Sequence, residues 1–595
     1  MPPEVSQHKR AQKINGIAGS QIEQPAALTM ASIVVALLTI NVLGSFLVRL
    51  GPQYMEPLYG NVLPQVNFKH GMMTSLAVGG FLGLGCWRRI RAAATGSSNS
   101  SSSSTLMADA KTGRALAVVF DCTALLTVAS PLITAYVLSW SGYMGPIWGP
   151  TLTHCALSFP VFALLGFAFV VSTGRLFCSY ASLLNQTATL FVYALAVVVP
   201  VFLVQKRPPF QHSCIGLLSM SVFAGIGSLV IKMITAYHEQ VSSANAARAS
   251  SNLRFVPTLA IVMVALASLL GHNRCSTDGV IDTKNSNYIM LFREESVTGW
   301  VITTDEQERN IRLLRSGHSI IGGHWKATNE SIFGVFYYAD AVRMVRGAPK
   351  SDERALQIGL GVGVSTRSLH QQGVAVDVVE IDPAVHRAAE QFFGLPRDLN
   401  AVYLQDAREY IETAPDATYN YVVHDVFTGG SVPSSLFSKE AIAHVRRIMQ
   451  PSGVLAMNYV GVPNDERVMA HITSTLRTSF KYVRCFGEFD NRDSYSSKRS
   501  KEKQMGSMTN MMFFASNERM EIRIPKTKSA KTFNSIRETM LQSMLNNEIT
   551  LDHLPKDTRP LTDRWNPLSQ WQVGTAIDHW RTMRKLFPEE YWLQY

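Results

Sequence analysis

Acidic residues are scarce from Ala26 to Gly271, where long apolar runs take their place. Beyond Ser276 charge is dense and apolar runs shrink to strand length, so the chain joins two unlike halves. Cysteine is sparse as well. The seven, Cys86, Cys122, Cys155, Cys178, Cys214, Cys275 and Cys485, stand singly, without a CxxC or a neighbouring histidine pair. That excludes a zinc site and a disulfide framework, so no metal is expected and each reads as a small buried hydrophobe. Nor does a recognition motif accompany the net charge of +11, which argues against nucleic acid as a partner. The basic residues flank apolar segments, as at Lys9, Arg10, Arg88, Arg89 and Arg91, or fall in a polar stretch from Lys498 to Lys503 that reads as a solvated loop.

What is present in the first half is apolar length. About 20 apolar residues cross a bilayer core, and about seven such runs are expected: Ala26 to Val48, His70 to Trp87, Arg114 to Ser139, Leu152 to Val171, Leu184 to Val204, Cys214 to Ala236 and Phe255 to Gly271. The reading is a polar tail over 1–25 and an all-α polytopic membrane domain over 26–272. GSSNSSSSST reads as a flexible loop between the second and third helices. Asp121 reads as an interfacial residue near its helix start. Paired intramembrane charges and an internal repeat are not visible, so the half reads as an anchor or scaffold, not a transport path. Loop charge favours a cytoplasmic N-terminus, and an odd helix count would then put the second half outside.

From Tyr288, the runs YIMLF, GWVITTD and NIRLLRSG predict a small antiparallel β unit, followed by a helix near Glu330 to Arg346; together these occupy 285–347. ALQIGLG, VAVDVVEID, VYLQDA, YNYVVHDVF and GVLAMNYV then alternate with helical segments, which predicts a mostly parallel sheet over 348–520. Residues 521–595 read as a helical extension, with Trp565, Trp571, Trp580 and Trp592 either roofing a crevice or packing ordinarily. Between the first parallel strand and its helix, Gly359, Gly361 and Gly363 form GxGxG, where the backbone approaches a ligand closely. Glu380 ends the next strand, placed to accept hydrogen bonds from a ribose. Asp406 follows the third strand and Asp425 ends the fourth, so the acids share one crevice, although Asp406 also suits an N-cap. Val364 stands where a dinucleotide fingerprint needs its third glycine. The set fits an S-adenosylmethionine pocket better.

LQIGLGVG, VEIDPAV, QDAREYI, YNYVVHDVF with SSLFSKEAI, and PSGVLAMNYVG, in this order, resemble the spermidine/spermine synthase family within the Rossmann-like methyltransferases. LLRSGHS and PLTDRWNP extend the resemblance over roughly Tyr288 to Pro567. It implies that Gly359, Gly361 and Gly363 line the methionine part of the cofactor, Glu380 holds the ribose, and Asp406 with Ala407 meets the adenine. Asp425 matches the acid that activates an attacking amine, and a homodimer through the α/β domain is a further implication.

The chain departs from the family where an amine substrate would be held. Val362 and Thr428 stand at acidic positions, Leu314 to Gly317 lack the acid and glutamine of the related motif, and Tyr338 with Asp340 is the only match to YxE. A polyamine carries several charges and needs several carboxylates. The expectation is therefore a membrane-anchored transferase that uses S-adenosylmethionine to methylate a small molecule. Aminopropyl transfer from decarboxylated S-adenosylmethionine and a non-catalytic nucleoside sensor or scaffold are the other readings. The familiar pool of that cofactor favours a cytosolic α/β domain. His424, beside Asp425, reads as a core residue, since strand alternation points it away.

Overall fold

The computed structural model describes residues 4–95, 101–179, 213–242, 254–270, 287–345, 352–427, 429–489, 505–524 and 535–593. The segment Leu184 to Val204, the basic stretch from Lys498 to Lys503 and Thr428 lie outside them. Contacts divide the chain into a helical unit (Met1–Tyr54, Asn67–Trp140, Trp148–Ser276) and an α/β unit (Met55–Val66, Ser141–Ile147, Thr277–Tyr595).

The helical unit contains α1 (Glu4–Gln53), α2 (Phe68–Thr95), α3 (Ser101–Leu138), most of α4 (Ser141–Ala156), α5 (Ser158–Ser179), α6 (Ser213–Ser242) and α7 (Val256–Leu270). Helix α1 starts within the stretch read as a polar tail, and α3 starts inside the serine-rich run read as a loop. Among the described residues four helical stretches are long and apolar enough to cross a membrane: Thr29–Tyr59, Ala108–Ser130, Ser158–Arg175 and Gly216–Tyr237; Val256–Leu270 is shorter. Large apolar side chains face outward, among them Phe81 at 82% exposure and Leu132 at 69%. Cys122 and Cys155 are exposed too, so the expectation of burial fails for helix positions that face away from the bundle.

The glycines that weaken α2 as an apolar run serve its packing. A Cβ on Gly79 would stand 1.8 Å from the carbonyl oxygen of Ala163, and one on Gly83 would stand 2.7 Å from that of Phe167. Two glycines four apart let α2 and α5 approach backbone to backbone. The polar residues correct the sequence reading: Asp121 is not a solitary interfacial acid. Its carboxylate accepts from Lys232 Nζ at 2.6 Å, Ser228 Oγ at 2.6 Å and Thr258 Oγ1 at 2.7 Å. Asp109 pairs with Arg175 in the same way. Partners on distant helices cannot be read from local sequence, which is why these pairs escaped it.

The α/β unit begins with an antiparallel meander, β1 (Tyr288–Ser296), β2 (Gly299–Glu306), β3 (Ile311–Ser316) and β4 (Ser319–Trp325). Three of the four strands were expected; β4 carries paired glycines that hid it. The helix expected near Glu330 is a 3₁₀ segment, Gly334–Val342. There follow β5 (Arg354–Ile358), α8 (Val364–Gln371), β6 (Ala375–Glu380), α9 (Pro383–Phe392), β7 (Ala401–Leu404), α10 (Ala407–Thr413), β8 (Tyr419–His424), α11 (Lys439–Ile448), β9 (Met449–Gly461), α12 (Glu466–Arg477), β10 (Tyr482–Gly487), β11 (Thr509–Ser516), α13 (Ser535–Met544), β12 (Glu548–Ile549) and α14 (Val573–Leu586). The sheet order is β12-β10-β11-β9-β8-β5-β6-β7. Strands β7, β6, β5, β8 and β9 are parallel, while β11, β10 and β12 join antiparallel. The chain reverses direction across the sheet at β5, beside β8, and that switch point opens a crevice at the strand ends.

Candidate active site

A cavity of ≈ 670 Å³ occupies that crevice. Its walls include Gly359, Gly361, Glu380, Asp406, Ala407 and Asp425, drawn from the ends of four parallel strands or the turns after them. The glycine turn is built on positive φ: 79° at Gly359, 53° at Gly361 and 72° at Gly363. A Cβ on Gly359 would stand 2.1 Å from the Asp425 carbonyl oxygen, so β5 and β8 meet there only because the side chain is absent.

Gly363 is placed differently from the other two glycines. It does not line the cavity; it is the left-handed N-cap of α8, and a Cβ there would meet Leu395 at 2.8 Å. Its neighbour Val362 is 2% exposed, inside an apolar cluster with Val301 and Leu314, and it too is turned from the cavity. Tyr338 and Asp340 are both fully buried elsewhere, Asp340 against Arg537 at 2.7 Å. Phe333 and Phe336, from the same stretch of chain, face the cavity instead.

Glu380 accepts the backbone N–H of Leu360 at 2.8 Å and that of Asp382 at 2.9 Å, which ties the glycine turn to the end of β6. Burial pushes its carboxyl up to about 7, against the lowering effect of those N–H groups. Asp406 uses one oxygen to cap α10 through the Arg408 N–H at 2.8 Å, and also lines the cavity. It therefore caps a helix and faces the cavity at once. Asp425 accepts from Asn458 Nδ2 at 2.8 Å. Burial pushes its carboxyl up to about 6, with the asparagine pulling the other way. His424 is 1% exposed and lies edge-on to Phe437 at 5.2 Å, on the opposite side of the strand.

Sequence reasoning missed Glu488, Asn458, Asn510 and His579, all on the cavity wall. Glu488 and Asn510 come from the antiparallel side of the sheet, whose strands carried no recognised motif, whereas Asn458 lies on parallel β9 inside PSGVLAMNYVG, a motif that singled out no side chain of its own. Helix α14 brings His579, Thr582, Met583 and Leu586 to the wall, so the roofing role falls to this helix. Its tryptophan does the packing: Trp580 is 4% exposed, and Trp592, beyond the end of α14, is fully buried.

No protein-family model matches the chain. It is 29% identical over 353 residues to an N-terminal histidine N-methyltransferase of Emericella nidulans, covering 54% of this chain and 61% of that protein. A polyamine aminopropyltransferase of Vibrio vulnificus is 33% identical over 144 residues, covering 23% of this chain and 45% of that protein. The chain is related to both kinds of transferase. Among solved structures, a probable spermidine synthase from Corynebacterium glutamicum aligns at 15% identity and a TM-score of 0.33, over 45% of this chain and 98% of that one. The chain spans less than two thirds of either curated relative, so the site's chemistry has to be argued from its own residues.

A buried carboxylate beside a nucleoside-sized crevice suits one class of reaction. S-adenosylmethionine held there would supply a carbon on a sulfonium, and Asp425 would be placed to take the proton of a nitrogen that accepts that carbon while the thioether leaves. A sulfonium leaves as a neutral thioether without an acid, so orientation and proton acceptance are what the protein must supply.

Proposed function

We propose that the protein is an S-adenosylmethionine-dependent N-methyltransferase whose acceptor nitrogen belongs to a chain-terminal histidine or a small molecule resembling one. The observation that carries this reading is the composition of the cavity wall. Gly359, Gly361, Glu380, Asp406 and Ala407 supply a nucleoside subsite, with Asp425 as the base. Of the positions expected to hold a polyamine, Val362, Tyr338 and Asp340 are buried away from the cavity, and Ser316 reaches its wall as a serine, not an acid; Thr428 lies outside the described residues. The relative in Emericella nidulans, matched over 54% of this chain, adds the acceptor class by its name.

Aminopropyl transfer is the second reading, favoured by the relative in Vibrio vulnificus. The two are separated by incubating purified full-length protein with methyl-labelled S-adenosylmethionine or with decarboxylated S-adenosylmethionine, offering a histidine-initiated peptide and putrescine. Methylated peptide is the expected product. Aminopropylated putrescine with unmodified peptide would overturn the methyltransferase reading, and failure to bind either cofactor would overturn both.

The helical unit is read as a multi-pass membrane anchor, supported by its four long apolar stretches and their outward-facing apolar side chains. Arg88, Arg89 and Arg91 make the C-terminal end of α2 basic, and the charge rule reads that end as cytoplasmic. Protease protection of sealed vesicles tests the orientation; protection of that end from protease added on the cytosolic side would refute it.

A further inference from the structure

Buried acids in the α/β unit differ in what neutralises them. Four that stand away from the cavity each hold an arginine: Asp305 with Arg312 at 2.7 Å, Asp340 with Arg537 at 2.7 Å, Glu353 with Arg343 at 2.9 Å and Asp377 with Arg354 at 2.7 Å. Two on the cavity wall hold an asparagine amide instead. Asn458 Nδ2 donates to Asp425 at 2.8 Å, and Asn510 Nδ2 donates to Glu488 Oε2 at 2.8 Å. The other oxygen of Glu488 accepts the Val335 N–H at 3.0 Å. Among the described residues these partners are all neutral.

The two asparagines sit on neighbouring strands. In the β9–β11 ladder Asn458 faces Met512 and Asn510 faces Val460, so the amides share one face of the sheet on a diagonal. Diagonal neighbours stand roughly 7–8 Å apart. Each amide orients a carboxylate without cancelling its charge; buried Asp382 is also met by neutral donors, but Asp425 and Glu488 line the cavity, where a ligand can meet the charge. Asp425 is accounted for by the nitrogen that reacts. Glu488 has no part in that transfer, yet it opens on the same cavity.

We propose that Glu488 anchors a second, cationic nitrogen of the acceptor, so that the substrate class is a two-nitrogen molecule with one nitrogen held as ammonium at Glu488 and the other methylated beside Asp425. This rests on the methyltransferase reading. It assigns Glu488 a positioning role: it touches substrate but takes no proton in the transfer. The ion pair forms in a site shielded from water, where it is worth more than at a surface.

The test uses full-length protein, labelled S-adenosylmethionine, and a histidine-initiated peptide with its α-amine free or acetylated. Wild type should prefer the free amine by at least about tenfold in kcat/KM, as for a buried charge pair. Glu488→Gln should raise KM for the free peptide about tenfold, erase the preference, and leave kcat and S-adenosylmethionine affinity unchanged; Glu488→Asp should restore part of the preference. Equal use of both peptides by wild type overturns the role of Glu488 whether or not the variants fold. A loss of S-adenosylmethionine affinity in Glu488→Gln also overturns it, by assigning Glu488 to the cofactor's own ammonium. Absence of methyl transfer by wild type to either peptide overturns the underlying methyltransferase reading and this one with it.

Discussion

Asn458 on β9 donates its side-chain amide across 2.8 Å to Asp425 at the end of β8, and that bond opposes the burial that pushes the carboxyl up to about 6. A base must be ionised to accept a proton, so turnover should fall as pH drops through about 6. Removing the amide with Asn458→Ala takes away the lowering influence. A hydrogen bond to a charged group contributes about 1.5–3 kcal/mol, and one pKa unit corresponds to about 1.4 kcal/mol. The acid limb of kcat should therefore move upward by about one unit or more. Asp425→Asn should abolish that limb and lower kcat by about 10²- to 10⁴-fold while S-adenosylmethionine still binds. A pH–rate profile of the three proteins checks all of this.

Gly359 and Gly373 share a φ of 79° but not their surroundings. A Cβ on Gly373 meets nothing within 4 Å, whereas one on Gly359 would stand 2.1 Å from a backbone oxygen. Gly373→Ala should cost only the left-handed backbone penalty, about 1–2 kcal/mol. Gly359→Ala should cost more and also weaken S-adenosylmethionine binding, because β5 must part from β8. Thermal melting with calorimetric titration of the cofactor separates the two effects.

The glycine-turn side of the cavity was legible because a parallel strand, its turn and its helix are contiguous in sequence. Glycines and acids at strand ends therefore announce themselves, as Gly359, Glu380 and Asp425 did. The opposite side was not. Glu488 and Asn510 lie on β10 and its sequel and on β11, brought beside Asp425 only by antiparallel pairing across the sheet. Long-range side-chain partners were equally hidden: nothing near Asp121 in sequence points to Lys232. Gly363 shows the reverse difficulty, since one glycine pattern serves both ligand approach and helix capping.

Asp121 and Lys232, joined at 2.6 Å, predict a non-additive pair. Removing one partner from a shielded ion pair leaves a charge without compensation and costs about 3–5 kcal/mol, whereas replacing both by apolar residues is often neutral. Asp121→Leu and Lys232→Leu should each lower the melting temperature of detergent-solubilised protein. The double variant should recover most of the loss. A purely additive double variant would show that the pair contributes nothing specific.

Helix α14 connects packing to the site, since four of its residues line the cavity while Trp580 is held on its other side. The Trp580 indole N–H donates to the Leu58 carbonyl at 2.8 Å, and its ring stacks on Tyr59 with centroids 6.0 Å apart. Trp580→Phe keeps one six-membered ring but loses the hydrogen bond, a cost of about 1 kcal/mol for the bond, and leaves a small void where the pyrrole ring was. Trp580→Ala removes a buried ring and should cost about 3–5 kcal/mol. If α14 roofs the acceptor end, Trp580→Phe should raise KM for the acceptor while S-adenosylmethionine affinity stays unchanged, because the nucleoside residues sit on other elements. A variant that loses stability without any change in acceptor KM would show that the helix packs there without shaping the substrate's place.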